Sequence, residues 1–126
     1  MKNVKKLGLL MMLSSFGFAQ DLQQAKNDIA AERYDKAKKT LKALIQSNPD
    51  NGKNFFYLGD IYLTQKDTDS ASLMFNKGVL AKEKGSLNYI GLGAIELDSK
   101  NNSAAVANFD KAIKDIKKKD TDETLL

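Results

Sequence analysis

The chain has 126 residues, of which 42% are hydrophobic and 29% charged, a size and balance that suit a single compact domain. It has one proline, a composition that favours helices, and neither cysteine nor histidine, which excludes disulfides, thiolate metal sites and Cys or His nucleophile chemistry. The formal charge of +4 is only mildly basic.

The N-terminal segment has the three regions of a secretory signal peptide. Three lysines lie within the first six residues, an apolar run follows at 7–13, and the small residues Gly17 and Ala19 stand three and one positions before a cut after residue 19. Residues 1–19 are therefore predicted to be a signal peptide, with the mature chain starting at Gln20. A membrane anchor is disfavoured, because the stretch from residue 7 to residue 19 is far shorter than the roughly twenty residues of a membrane span.

We therefore expect an exported protein, in the periplasm or cell envelope of a Gram-negative bacterium, with no membrane insertion after signal cleavage. No second apolar stretch approaches the length of a span. Cleavage would remove three of the 20 basic residues and leave 17 against 16 acidic ones. A mature chain so close to neutral gives no electrostatic support for a nucleic-acid partner.

The rest of the chain repeats with a period of 34 residues. Alanine recurs at positions 37, 71 and 105, and a large apolar residue follows four positions later in each unit: Leu41, Phe75 and Phe109. Small residues precede the alanines by twelve positions: Ala25, Gly59 and Gly93. The apolar residues between these markers have helical spacing, so each unit is predicted to be a pair of helices.

Cap and breaker residues predict six helices, over residues 21–32, 35–47, 52–65, 69–83, 86–98 and 102–118. They group into three repeats, at 20–51, 52–85 and 86–119. The small residues at positions 25, 59 and 93 are expected to face the alanines of the second helices, because helices pack tightly only where their backbones approach. Residues 120–126 are interpreted as the start of a further helix or a frayed tail, and we expect a longer repeat protein.

The middle unit resembles the tetratricopeptide repeat. It matches that family's aromatic-x2-Leu-Gly-x2-Tyr and Ala-x3-Phe order at the family's spacing, with Phe55, Leu58, Gly59, Tyr62, Ala71 and Phe75. The first and third units depart from the pattern, with Asp28 and Glu96 where an aromatic residue is usual. The resemblance implies an all-α fold, an alpha-alpha superhelix (a solenoid) of about three helix-turn-helix repeats.

The resemblance also implies a binding surface, since ligands of this family usually lie on the concave side formed by the first helices. Carried over position by position, the partner-binding residues would be Lys26, Lys53, Phe56, Tyr57, Asp60, Leu63, Leu87, Ile90, Ala94 and Leu97. Such a groove is mainly apolar and suits an extended or helical peptide with apolar anchors. The alternative is that four of its large apolar members pack against one another across adjacent repeats: Phe56, Leu63, Ile90 and Leu97.

Neither catalysis nor a cofactor is expected. Asp28 and Glu96 lie two repeats apart, so each is interpreted as satisfied by a local partner and not as half of an acid–base pair. The segment 67–69 opens like a calcium loop but lacks the glycine and glutamate that such a loop needs, so no metal is predicted. We expect a non-enzymatic scaffold that binds another protein or peptide. The alternative is a spacer or dimerisation arm of a longer exported protein with its activity beyond residue 126, and a homo-oligomer fits either role.

Overall fold

The computed structural model describes the backbone of residues 2–124 and the side chains of residues 16–118. Six helices follow one another along the chain: α1 Lys2–Ala30, α2 Tyr34–Ser47, α3 Gly52–Thr64, α4 Thr68–Gly78, α5 Leu87–Asp98 and α6 Asn102–Thr124. No strand occurs between residues 2 and 124. The prediction of an all-α helical repeat is therefore confirmed.

The helices pair into three hairpins that stack side by side. Within each hairpin α1 packs on α2, α3 on α4 and α5 on α6, and the second helix of one hairpin contacts the first helix of the next. The first helices also meet directly, since α3 contacts both α1 and α5. Over the described backbone α4 contacts neither α2 nor α6. The stack therefore curves towards the side formed by α1, α3 and α5.

The three hairpin turns have the same backbone geometry at intervals of 34 residues. Their central residues adopt left-handed φ angles although none is glycine: 59° at Glu32, 64° at Lys66 and 63° at Lys100. In each turn the next backbone N–H donates to the carbonyl oxygen five residues earlier, at distances of 2.8 to 2.9 Å. This is the Schellman closure of a helix end, which satisfies carbonyls that would otherwise lack a partner.

Three helices, α1, α4 and α6, have bounds that differ from the predicted ones by more than two residues. The helix predicted over 69–83 ends at Gly78, because the chain then turns back towards the start of α3, where Gly52 N donates to Glu83 O at 2.7 Å and Glu83 N donates to Asp50 O at 2.9 Å. The last helix, predicted to end at residue 118, continues to Thr124 and so includes most of the segment 120–126.

The first helix runs from Lys2 to Ala30 without a break, so the predicted signal segment and the first repeat share one helix. No helix in the described part of the chain combines the length and the apolarity that a membrane span needs.

The core is built from the apolar stripes that the period marks, including Leu41, Leu58 and Phe75, all nearly inaccessible to solvent. The small residues are buried as well, and the two glycines among them lie against phenyl rings. A Cβ built on Gly59 would meet the Phe75 ring first, and one on Gly93 would lie 2.5 Å from Cε1 of Phe109. A glycine on the first helix therefore makes room for a phenyl ring from the second.

Candidate binding groove

The three first helices, which form the side towards which the stack curves, carry all the residues that the family resemblance implies. Helix α3 supplies the middle of this surface, which we call the groove: Lys53, Phe56, Tyr57, Asp60 and Leu63. Helix α1 contributes Lys26, and α5 contributes Leu87, Ile90, Ala94 and Leu97. The spacing of three and four residues along α3 places its members on one helix face.

The start of α3 is fixed by a side-chain cap. The side chain of Asn51 accepts a hydrogen bond from Lys53 N at 3.1 Å, which satisfies one of the free N–H groups at the helix N-terminus. The same region is tied to the loop before α5, because Nδ2 of the buried Asn88 donates to the carbonyl oxygens of Gly52 and Gly85 at 3.0 and 3.1 Å. The N-terminal end of α3 is therefore held by the loop before it, by Asn88 of α5 and, through Asn88, by the loop before α5.

Two adjacent aromatic rings stand at the centre of the groove. Phe56 and Tyr57 meet edge to face, with ring centroids 5.6 Å apart and an interplanar angle of 70°. Phe56 also leans on the buried ring of Phe75, at 6.2 Å between centroids. Lys26 Nζ lies 5.8 Å from the centre of the Tyr57 ring, within cation–π range, and links α1 to α3. Both rings therefore also take part in core packing, Phe56 through its contact with Phe75 and Tyr57 through the buried cluster that contains Leu41.

The α5 side of the groove presents apolar side chains to solvent. Ile90 is 36% exposed and Leu97 is 54% exposed, with the exposed Ala94 between them. Phe56 and Leu63 on α3 are half-buried. The alternative of mutual packing therefore describes the α3 residues in part, but it does not describe Ile90 and Leu97, which remain available to a ligand.

The charged residues of the groove are distributed unevenly. Lys26 and Lys53 lie near the N-terminal end of α3, while Asp60 follows two turns later along the same helix. Burial raises the pKa of the Asp60 carboxyl above its ordinary value, although the outer side of that residue remains exposed. A ligand would therefore meet two cations at one end of α3 and a carboxyl that is easier to protonate further along it.

A cavity of about 560 Å³ adjoins the basic end of the groove. Its wall combines residues of α1, the start of α3 and two loops, among them Phe18, Leu22, Lys26, Lys53 and Lys84. Sequence reasoning did not place Phe18 and Lys84 at this site. Lys84 reaches this cavity only because the loop after α4 returns to α3. The 34-residue repeat pattern does not predict that long-range contact.

A second cavity, of about 500 Å³, lies on the other side of the stack between α2 and α4. Leu58, Tyr62 and Met74 contribute apolar surface to it, and Lys39 and Lys42 contribute charge. Its position follows from the curvature, which separates α2 from α4. None of the residues carried over from the family lines this cavity.

Each of the two carboxylates at the aromatic position of the repeat has a local partner, which confirms the interpretation made from the sequence, although the buried Oδ2 of Asp28 has no hydrogen-bond partner among the described residues. The Asp28 side chain is fully buried, and its Oδ1 accepts hydrogen bonds from Arg33 Nε at 2.9 Å and Nη2 at 2.8 Å. Glu96 Oε2 accepts from Asn101 Nδ2 at 2.9 Å. In both cases the partner is the turn residue five positions on, so these carboxylates close a hairpin turn.

The carboxylate of Asp67 also has a local role, as the N-cap of α4. Its Oδ1 accepts from Ser70 N at 3.1 Å, and the hydrogen bonds from Ser70 hold the pKa of Asp67 below its ordinary value. Among the described side chains, no three carboxylates come close enough together to hold a metal ion.

Comparison with known proteins agrees with the architecture. The family profile described as tetratricopeptide repeat matches residues 28–94, just over half of the chain. The fold is similar to that of the type III secretion translocator chaperone SycD of Yersinia enterocolitica, with a TM-score of 0.70 and 20% sequence identity over 82% of this chain and 78% of SycD. It is also similar to MamA, with a TM-score of 0.65 and 21% identity over 77% of this chain and 57% of MamA. No curated protein sequence gives a significant match.

Proposed function

Since the chain belongs to the tetratricopeptide repeat family, we propose that it is a non-enzymatic scaffold whose groove binds a segment of another protein. The observation that carries the proposal is the row of solvent-exposed apolar side chains on α5, Ile90 and Leu97, beside the aromatic pair of α3. Exposed apolar side chains grouped with aromatic residues are typical of interaction surfaces. The structural likeness to a chaperone, SycD, also supports a protein partner.

The groove geometry favours a ligand with two apolar anchors. Ile90 and Leu97 are seven residues apart on α5, which corresponds to about 10 Å along a helix axis. A helical ligand offers side chains at that separation from positions seven apart, and an extended one from positions about three apart. Lys26 and Lys53 favour an acidic residue at the end of the ligand nearest the start of α3.

Peptide display on the purified chain tests this proposal. We expect selected sequences with two apolar anchors and an acidic flank, and we expect Tyr57→Ala and Leu97→Ala each to weaken binding about tenfold or more. Leu97 is the cleaner position, because its exposure leaves folding unaffected, whereas Phe56→Ala also removes a contact with Phe75. The matched control is Lys77→Ala on α4, outside the groove. Equal losses from Lys77→Ala and Leu97→Ala would place the binding surface elsewhere.

The alternative role, a spacer or dimerisation arm of a longer exported protein, is favoured by one feature of α6. Val106, Ile113 and Ile116 are about half exposed along this helix, an apolar surface that has no place in the groove. Sequencing the reading frame in both directions separates the two roles. A further catalytic or binding domain in the same polypeptide would make the repeats an arm, and its absence would leave the groove as the functional surface.

The cellular location that we propose is the periplasm or cell envelope of a Gram-negative bacterium. Support comes from the lysines, apolar run and small residues of positions 1–19. Cleavage after Ala19 would shorten α1 to residues 20–30 and would take Phe18 out of the cavity at the basic end of the groove. Mass spectrometry of the protein from its native cell should find Gln20, or its cyclised form, at the N-terminus. Mostly intact Met1 would contradict export.

A further inference from the structure

Phe18 lines the cavity at the basic end of the groove, although it belongs to the segment that we propose is cleaved off. Phe18 and Leu22 lie one helical turn apart on α1, are both half-buried, and both pack against the buried cluster that contains Leu41. Phe16, by contrast, is 64% exposed. Of these two aromatic residues, only Phe18 packs against the core of the repeats.

The equivalent place in the next hairpin has no room for a side chain. Phe18 corresponds to Gly52 one period later, and a Cβ on Gly52 would lie 2.5 Å from the carbonyl oxygen of Lys84 and 2.8 Å from Cα of Gly85. The loop after α4 therefore lies directly on the start of α3. In the first hairpin a cavity of about 560 Å³ remains, with residues of both α1 and the loop after α2 in its wall. The first hairpin thus has space for a ring where the second has none.

Positive charge predominates around this space. The cavity wall contains three lysines and two acidic residues: Lys26, Lys53, Lys84, Asp50 and Glu83. Asp50 has a cationic partner outside the wall, since Lys82 Nζ lies 3.8 Å from its Oδ2. None of the ion pairs among the described side chains involves Lys53 or Lys84. A carboxylate of a ligand would therefore meet two cations whose charge is not already neutralised by an ion pair.

We infer that, after cleavage, the place of the Phe18 ring receives an aromatic side chain of the bound ligand, with a carboxylate of the ligand beside it. The inference rests on the proposed cleavage after Ala19, and it deepens the proposed groove function by naming the anchor at the basic end. Loss of Phe18 exposes apolar surface that a second ring covers again. Lys53 and Lys84 attract the carboxylate. In the uncleaved chain Phe18 occupies the site.

The test opens the place of Phe18 in the uncleaved chain, so it does not depend on cleavage. The probe is a peptide of residues 14–19 with Phe16→Ala, which has one aromatic ring and a free C-terminal carboxylate one residue after it. By isothermal titration calorimetry, we expect the Phe18→Ala chain to bind this peptide at least about tenfold more tightly than the unchanged chain. The Phe16→Ala chain is the matched control, because it loses an exposed ring of the same helix, and it should bind like the unchanged chain. Circular dichroism checks that both variants keep their helices.

Two further changes test the two parts of the ligand separately. Replacing the remaining ring of the peptide by alanine should abolish the tighter binding to the Phe18→Ala chain. Amidation of the peptide's C-terminus, and Lys84→Gln in that chain, should each weaken binding about threefold or more. Lys82→Gln is the control for the lysine, because Lys82 lies outside the cavity wall. The cleaved protein from the native cell should bind the peptide as the Phe18→Ala chain does.

Equal binding to the Phe18→Ala chain and the unchanged chain would overturn the inference, because it would show that the loop after α2 closes over the vacated place. Equal gains in the Phe18→Ala and Phe16→Ala chains, or an unaltered affinity of the amidated peptide, would overturn it too. Intact Met1 in the native cell, together with tight binding to Phe18→Ala, would contradict the proposed cleavage but not the pocket. A binding defect of Leu97→Ala towards groove peptides, without a gain in Phe18→Ala, would contradict this inference but not the groove proposal.

Discussion

The ring of Phe75 on α4 lies directly on the backbone of Gly91 in α5, with no space left for a side chain on residue 91. The same ring also lies against Gly59 of α3. One phenyl group therefore holds a hairpin together and joins it to the next hairpin. The two glycines are required because a fully buried ring between two helices cannot move aside.

Gly91→Ala should therefore destabilise the fold, although alanine is the better helix former by about 1 kcal/mol. We expect a net loss of about 1 to 3 kcal/mol from overpacking, measured by urea denaturation. Gly17→Ala in α1, made in the uncleaved chain, is the matched control, because no atom beyond its own stretch of helix backbone lies within 4 Å of the added methyl group. It should leave stability unchanged or raise it slightly. A stabilised Gly91→Ala would show that α4 and α5 are less closely packed than described.

Phe75→Ala should remove a large part of the folding free energy. The side chain is 1% exposed, and truncating a buried phenylalanine costs about 3 to 5 kcal/mol. The free energy of unfolding of a domain of this size is roughly 5 to 15 kcal/mol. Leu73→Ala on the same helix, where the side chain is 52% exposed, serves as the control and should change stability little. A loss below about 1 kcal/mol for Phe75→Ala would contradict the assigned register of α4.

Arg33→Ala should destabilise the first hairpin by leaving the buried Asp28 carboxylate without its main partner. Arg33 makes both short contacts with Oδ1, while Lys36 Nζ stands 3.9 Å away. Leaving a buried acceptor unsatisfied costs about 1 to 3 kcal/mol, so Lys36→Ala should have the smaller effect. Chemical denaturation of both variants measures the difference. A larger loss of stability in Lys36→Ala than in Arg33→Ala would show that Asp28 depends mainly on the lysine.

The N-cap of α4 should give stability a measurable dependence on pH. Because the folded state lowers the pKa of Asp67 below its ordinary value of 3.8, the stabilisation is complete above that value and is lost as pH falls through the folded pKa. Asp67→Asn keeps a capping oxygen but does not titrate. The difference in unfolding free energy between the two proteins should therefore shrink between pH 7 and about pH 2. A constant difference would contradict the lowered pKa.

The sequence was sufficient to predict the hairpins, because their marks are local and periodic. Ala37, Ala71 and Ala105 are buried, and three turns close by the same backbone geometry 34 residues apart. The early end of α4 was not predictable in this way. It depends on Asn88, whose amide occupies the space beside Gly78, and on the pairing of Glu83 with the loop before α3. Both contacts join different hairpins, and neither produces a periodic pattern in the sequence.

The helix that carries each groove residue was also predicted from local pattern, because a spacing of three and four residues defines one face of a helix. Their exposure could not be predicted, because it depends on what the neighbouring hairpin covers. Phe56 and Leu97 are both apolar groove positions, yet one leans on Phe75 and the other is 54% exposed. The cavity wall formed by Phe18 and Lys84 was missed because it requires loop geometry.

The pairing of large and small residues also fixes the order of the hairpins. Tyr57 packs on the cluster that contains Leu41, whereas one period later Gly91 meets Phe75. The first junction pairs a tyrosine with a leucine cluster, and the second pairs a glycine with a phenylalanine. If the hairpins were exchanged, Tyr57 would lie on Phe75, and the two rings would need more space than the junction has. A chain of near-identical units is prone to slip by a whole unit or to trade units between molecules. Here the difference in side-chain size opposes both errors, and the hairpins therefore stack in one order.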